Sequence, residues 1–89
     1  MDIHLITYDL HRPGQNYPEL HSAIKAYGDW AKLGESCWAV KTNATDIAIR
    51  DALKPYIDYN DRIFVATVNR QLCAGFNYSA EIQNWMNTT

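Results

Sequence analysis

The sequence lacks the features that define several large classes of protein. None of its apolar runs approaches the roughly 20 residues of a membrane-spanning helix. Its N-terminus lacks the basic start and apolar stretch of a signal peptide. With 8 Lys and Arg against 10 Asp and Glu, it also lacks the net positive charge of a tight, non-specific nucleic-acid binder. We therefore expect a cytoplasmic protein with no membrane contact, in which any phosphate binding comes from a local patch.

Cysteine is scarce as well. Cys37 and Cys73 form no C-x-x-C pair, which argues against a zinc site, and two cysteines do not make a disulfide framework. We interpret both as reduced thiols. The chain also lacks internal repeats, low-complexity tracts and linkers, so its 89 residues indicate one domain with its own core.

What the sequence does contain is a well-marked first strand. The odd-numbered residues that begin with Ile3 face one side of this strand, and the even-numbered residues that begin with His4 face the other. Both sets are mostly apolar. A strand of this kind is covered on two sides, so we place it in the centre of a sheet. Asp9 ends the apolar run, and the following HRPG is a loop because proline and glycine break regular structure.

The remaining pattern predicts a strand, helix, strand, strand, helix, strand order. Strands are predicted over 30–33, 36–41 and 62–68. Apolar stripes at helical spacing predict helices that begin near Asn16 and Asn43. The second helix is expected to stop or kink near Lys54, because Pro55 follows. This order predicts an α+β, ferredoxin-like βαββαβ sandwich over residues 1–68. Residues 69–89 are interpreted as a C-terminal extension with a short helix, packed on the same domain. The second sheet face needs a cover, which either this extension or a two-fold dimer would supply.

Asp9 is the best candidate for chemistry, because a carboxylate at the end of a rigid strand is a common metal ligand or general base. The alternative is a loop cap, in which the carboxylate accepts backbone N–H bonds. His11 and Arg12 follow directly. Because we take the first and third strands to be parallel, Lys41 and its neighbours Thr42 and Asn43 are expected at the same sheet edge, where they would help to bind a phosphate.

The alternative interpretation of His11 and Arg12 is that they belong to a solvated polar loop without a binding role. Ser36 and Tyr8 are weaker candidates, and local hydrogen bonds would satisfy each of them. The HRPG loop is not a Walker loop, because it lacks that motif's glycines and lysine.

Three segments together resemble the CRISPR-associated protein 2 family, and more closely its stand-alone relatives outside CRISPR loci. They are a first strand ending in Tyr8-Asp9-Leu10, the strand 35–40 (ESCWAV), and 57–65, which begins with Ile57-Asp58. The resemblance spans residues 1 to about 68 in the same order and spacing. The loop HRPGQNY lacks the family's usual basic cluster beyond Arg12, and the tail around Trp85 has no counterpart in the short CRISPR members, so a stand-alone relative is the better match.

This resemblance implies a homodimer packed through its sheet faces, with Asp9 of each subunit close to the other. In members described as metal-dependent nucleases, the matching aspartates bind magnesium, so Asp9 is the expected catalytic and metal-binding residue here. Other members are non-catalytic scaffolds that bind nucleic acid. Two functions therefore stay open: a magnesium-dependent endonuclease acting on RNA or DNA, and a non-catalytic dimeric module that binds nucleic acid, a nucleotide or a protein, as an antitoxin, adaptor or phage-encoded inhibitor would.

Overall fold

The computed structural model describes residues 1–11, 17–69 and 74–87. In chain order, the regular elements of this part are β1 (Asp2–Asp9), α1 (Pro18–Lys25), β2 (Trp30–Gly34), β3 (Cys37–Thr42), α2 (Asp46–Leu53), a 3₁₀ turn (Lys54–Tyr56), β4 (Arg62–Val68) and α3 (Ala80–Asn87). The expected α+β class is confirmed, and no helix in the described part of the chain has the length and apolarity needed to cross a membrane.

The four strands form one antiparallel sheet in the order β2-β3-β1-β4. β1 lies in the interior of this sheet, paired with β3 on one side and β4 on the other, as its two apolar faces predicted. The expectation that the first and third strands are parallel is wrong. Asp2 of β1 pairs with Thr42 at the end of β3, and Thr7 pairs with Cys37 at its start, so the two strands run in opposite directions.

Both of the helices that follow β1 and β3 begin and end where the sequence gives a physical reason. In α1, Pro18 occupies the first turn, where its missing N–H costs nothing, and Leu20 and Ile24 are buried one turn apart. α2 begins later than its predicted cap at Asn43, because the hydroxyl of Thr45 accepts the N–H of Ala48 at 3.1 Å. It ends at Leu53, where the chain tightens into the 3₁₀ turn that contains Pro55.

α1 and α2 cover one face of the sheet, which we call the helix face. Even-numbered residues of β1 point to this face and meet even-numbered residues of β3 across the strand pair. The fully buried side chains of this core are Ile6, Leu20, Ile24, Trp38, Val40, Ile49 and Leu53. Each such side chain contributes about 1.5–3 kcal/mol through removal from water, so this layer supplies the main driving force for folding.

The other sheet surface, which we call the second face, is partly covered by α3 and the segment before it. A cleft of about 440 Å³ separates Leu5 and Ala39 of the sheet from Ile82 and Met86 of α3. At one end of the face, the ammonium of Lys41 donates to the backbone carbonyl of Trp85 at 2.5 Å. The indole N–H of Trp85 in turn donates to the Asp29 carboxylate at 2.5 Å, which fixes α3 to the turn between α1 and β2.

Candidate functional site

Asp9 is the last residue of β1, and it is exposed to solvent. In the antiparallel register it lies opposite Arg62, the first residue of the edge strand β4. Because side chains alternate along a strand, Asp9 belongs to the same face as Leu5 and Thr7, which is the second face of the sheet. The structure therefore places this carboxylate at a corner of the face that α1 and α2 do not cover.

Asp61 links the segment that follows Asp9 to the turn before β4. Its carboxylate accepts the backbone N–H of His11 at 2.6 Å and that of Asp58 at 2.8 Å. These bonds, led by the one from His11, lower the pKa of Asp61 because they stabilise its charged form. Asp61 therefore anchors the segment that follows Asp9 to the start of β4. The sequence placed Asp61 in a polar turn, and no local pattern shows that it reaches a loop 50 residues away.

The other predicted site residues divide by location. His11 is exposed and bound to Asp61 through its backbone, while Arg12 lies outside the described residues. Ser36 is half-buried at the Asp9 end of the sheet, where its carbonyl accepts the N–H of Tyr8 at 3.1 Å. The structure therefore brings His11 and Ser36 to the same end of the sheet as Asp9.

Lys41 does not belong to this end. It pairs with Ile3, six residues before Asp9, so the expectation that Lys41, Thr42 and Asn43 share an edge with Asp9 is wrong. At about 3.4 Å per residue, six residues correspond to roughly 20 Å along the strand. The Lys41 side chain is only 6% exposed, and its ammonium lies 4.3 Å from the centre of the Trp85 ring as well as on the Trp85 carbonyl. These contacts give Lys41 a role in holding α3.

Tyr8 belongs to the helix face rather than to the Asp9 corner. Its hydroxyl accepts the indole N–H of Trp38 at 3.0 Å and bonds to the His21 imidazole at 3.1 Å. Burial raises the pKa of Tyr8, which keeps the phenol neutral. These bonds agree with the expectation that local contacts satisfy the Tyr8 hydroxyl.

The described part of one chain does not form a metal site. Within residues 1–11, 17–69 and 74–87, no three or more His, Cys, Asp or Glu side chains are grouped so as to hold a metal ion. Asp61 is occupied by two backbone amides, whereas Asp9 is exposed, as are Glu35 and Asp58 in the turns at the same end of the sheet. Magnesium takes one or two protein carboxylates and keeps several waters, so an exposed carboxylate such as Asp9 has the chemistry of one of its ligands.

Part of the second face next to Asp9 stays accessible. Beneath α3, Ala31 and Ala39 are buried, whereas toward Asp9 the side chain of Phe64 is 66% exposed. Phe64 pairs with Thr7 across β1 and β4, and Thr7 and Cys37 are only half-buried. We call the surface formed by Thr7, Cys37, Phe64 and Ala66 the uncovered patch. It is largely apolar, and Asp9 lies at its edge.

Comparison with known proteins adds no assignment to these observations. No protein-family model matches the sequence, and no solved structure matches the chain with statistical significance.

Proposed function

We propose that this protein is a ferredoxin-like homodimer of the CRISPR-associated protein 2 type that binds and cuts nucleic acid in the presence of magnesium. The sheet order β2-β3-β1-β4 and the strand, helix, strand, strand, helix, strand sequence before α3 support the ferredoxin-like assignment. The three segments that carry the resemblance to the family each include part of β1, β3 or β4, which are neighbours in this sheet.

The observation that carries the proposal is the position of Asp9 at the edge of the uncovered patch. An exposed phenylalanine on an edge strand, beside half-buried Thr7 and Cys37, is the kind of surface that a second copy covers. A two-fold axis applies the same patch to itself, so each residue near the axis meets its own counterpart. We place this axis beside Asp9, so that the two Asp9 carboxylates converge from the two subunits.

In this arrangement Asp9 of each subunit holds the ion, and Asp61 acts as a positioning residue. By accepting the amides of His11 and Asp58, Asp61 keeps the segment after Asp9 beside β4. Bound magnesium would supply a Lewis acid for a phosphoryl oxygen and would lower the pKa of a bound water. Ser36 and His11 stand at the same end and would be in reach of a substrate there.

Cleavage of labelled single-stranded RNA and duplex DNA tests the proposal. Wild type, Asp9→Asn and Asp2→Asn are compared with magnesium, manganese or a chelator, after their masses have been measured. Asp2 is a matched control because it is an exposed carboxylate at the opposite end of the same strand. Loss of a metal ligand should reduce cleavage by at least about a hundredfold in Asp9→Asn and leave Asp2→Asn active. Metal-independent cleavage, or equal rates for the two variants, contradicts the proposal.

Non-catalytic binding is the second candidate, and one observation favours it. In the described part of the chain, Asp9 does not belong to any group of three or more acidic, histidine or cysteine side chains that could hold a metal ion. A binding protein has no need of such a group. It would retain its oligonucleotide in chelator and in Asp9→Asn, and it would leave the oligonucleotide uncut.

A further inference from the structure

A pair of lysines converges on two tryptophans at the β2 edge of the helix face. The ammonium of Lys25, in the last turn of α1, lies 5.1 Å from the centre of the Trp30 ring and 5.9 Å from that of Trp38. The ammonium of Lys32, on β2, lies 5.4 Å from the centre of the Trp38 ring. At these distances the ammonium groups are attracted to the electron-rich ring faces, which restrains two otherwise flexible side chains.

The local fold explains this convergence. Lys32 pairs with Trp38 across β2 and β3, and Trp30 pairs with Val40, so Trp30 and Lys32 are on the helix face. α1 packs over that face through Ile24, which brings the next residue, Lys25, to the edge of the sheet. Trp38 is buried beneath, whereas Trp30 remains 37% exposed at a ring-centre distance of 5.4 Å from Trp38.

This edge is positively charged although the whole chain has a net charge of −2. Lys25 and Lys32 are both exposed, and the ion pairs found within residues 1–11, 17–69 and 74–87 join other residues. Asp29 precedes Trp30 in the chain, but its carboxylate is hydrogen-bonded to Trp85 of α3. The nearby His21 has a lowered pKa because of burial and then the charges of Lys32 and Lys25, which agrees with a local excess of positive charge.

We propose that Lys25, Trp30 and Lys32, which we call the Trp30 patch, bind single-stranded nucleic acid. The two ammonium groups contact backbone phosphates, and a base stacks on the exposed part of the Trp30 indole. This inference shares the substrate class of the proposed function but rests on different residues, on the opposite sheet face and at the other edge strand from Arg62 and the Asp9 corner.

The chemistry of the patch favours a single strand over the other anionic partners. Every base has a flat π-face, and stacking on an aromatic side chain makes a large, sequence-tolerant contribution to single-strand binding. In a duplex the bases are stacked on one another and are not free to meet Trp30. An acidic peptide would use the two lysines but would leave the tryptophan without a matching group.

Fluorescence anisotropy of a labelled RNA of about 12 nucleotides, within the usual site size of a single-strand binding domain, tests this inference with chelator present so that no cleavage occurs. The variants are Lys25→Gln with Lys32→Gln together, Trp30→Ala, Trp30→Phe, and Lys54→Gln as the control. Lys54 is an exposed lysine at the start of the 3₁₀ turn that follows α2, so it reports the effect of losing surface charge as such. Circular dichroism checks that each variant is folded.

We expect the double lysine variant to bind at least about tenfold more weakly, with the slope of log affinity against log salt reduced by about 0.7 for each phosphate that the variant no longer neutralises. Trp30→Ala should bind about tenfold more weakly, because it loses the ring on which one base stacks, and Trp30→Phe should retain most of the affinity. Lys54→Gln should bind as wild type does.

Two results with the variants overturn the inference: wild-type affinity in the double lysine variant, and a loss of affinity in Lys54→Gln as large as that in the double lysine variant. Two results with other ligands also overturn it: tighter binding of a duplex than of a single strand of the same length, and displacement of the RNA by a poly-glutamate peptide at equal charge concentration. Asp9→Asn separates this inference from the proposed function. If Asp9→Asn binds more weakly and the double lysine variant binds fully, the Trp30 patch is refuted and the proposed function is not. If binding depends on the Trp30 patch and no cleavage is found, the nuclease is refuted and the Trp30 patch is not.

Discussion

The carboxylate of Asp46 joins the first turn of α2 to the sheet. It accepts the Nδ1–H of the buried His4 at 2.6 Å and the hydroxyl of Thr67 on β4 at 3.0 Å. The His4 bond is the main reason why the pKa of Asp46 is lowered, with Thr67 adding to it. Asp46 is also the first residue of α2, where a negative charge is stabilised by the positive end of the helix dipole. One residue therefore links α2, β1 and β4.

Asp46→Asn should lower the free energy of unfolding by roughly 1–2 kcal/mol, because charge-assisted bonds become neutral ones. Since the pKa of Asp46 is lower in the folded state, its contribution is complete above an unfolded pKa of about 3.9 and is lost as the pH falls through the folded pKa. Urea unfolding over a pH series from about 2 to about 7 measures both effects.

Asp51→Asn is the control for this measurement, since Asp51 is an exposed aspartate of the same helix that pairs with its neighbour Arg50. An exposed pair of this kind contributes about 0–1 kcal/mol. If Asp46→Asn were no less stable than Asp51→Asn at neutral pH, the structural role of Asp46 would be wrong.

Single residues also show what the sequence could predict and what it could not. The exposure of Asp9 followed from its place at the end of an apolar run, which is a local property. The burial of Lys41 did not follow, because it depends on a helix 44 residues further along that covers its ammonium. The link between Asp61 and His11 is likewise a long-range contact without a local signal.

At the scale of elements, α3 depends on its contacts with the rest of the chain. Its 8 residues are fewer than an isolated helix needs to be stable in water. Trp85 connects it to two places, through its carbonyl to Lys41 and through its indole N–H to Asp29. The ammonium of Lys41 also lies near the C-terminal end of α3, where a positive charge is favoured by the helix dipole.

Trp85→Phe should loosen α3 while leaving the sheet intact. The change removes the N–H that binds Asp29, at a cost of roughly 1–3 kcal/mol for a bond to a charged group. Hydrogen exchange followed by NMR should show faster exchange of the α3 amides and unchanged exchange in β1. Trp30→Phe, in which the altered indole lies on the helix face, is the control. Equal protection of α3 in both variants would contradict this account of how α3 is held.

Element boundaries were largely readable from the sequence, whereas the direction assigned to β3 was wrong. β1, β3 and β4 lie within a residue or two of their predicted limits, since alternation and turn residues are local signals. The helix crossover makes β2 parallel to β1, and the β2–β3 hairpin then makes β3 antiparallel to β1. The predicted strand order therefore already implied the observed direction, and the parallel assignment placed Lys41 at the wrong end.

At the scale of the whole molecule, the two sheet faces differ in how they are covered. α1 and α2 bury the helix face, and α3 lies over Leu5 and Ala39 on the second face. Phe64, 66% exposed on the edge strand β4, marks the part of the second face that remains accessible. The sequence predicted that this face needs a cover from either the tail or a dimer. The structure shows the tail covering one end of it, and the proposed dimer would cover the other.

The most direct test of the account is the mass of the protein in solution, measured by sedimentation equilibrium on wild type and Phe64→Lys. One chain has a mass of 10.2 kDa, and we predict twice that value for wild type at micromolar concentration. Phe64→Lys should shift the equilibrium toward monomer by at least about tenfold, because it places two like charges in the interface of the dimer. Ile47→Lys changes an exposed apolar residue of α2, on the opposite side of the sheet, and should leave the dimer unchanged. A wild-type protein that sediments as a 10.2 kDa monomer at every concentration would contradict the pairing of Asp9 across two subunits.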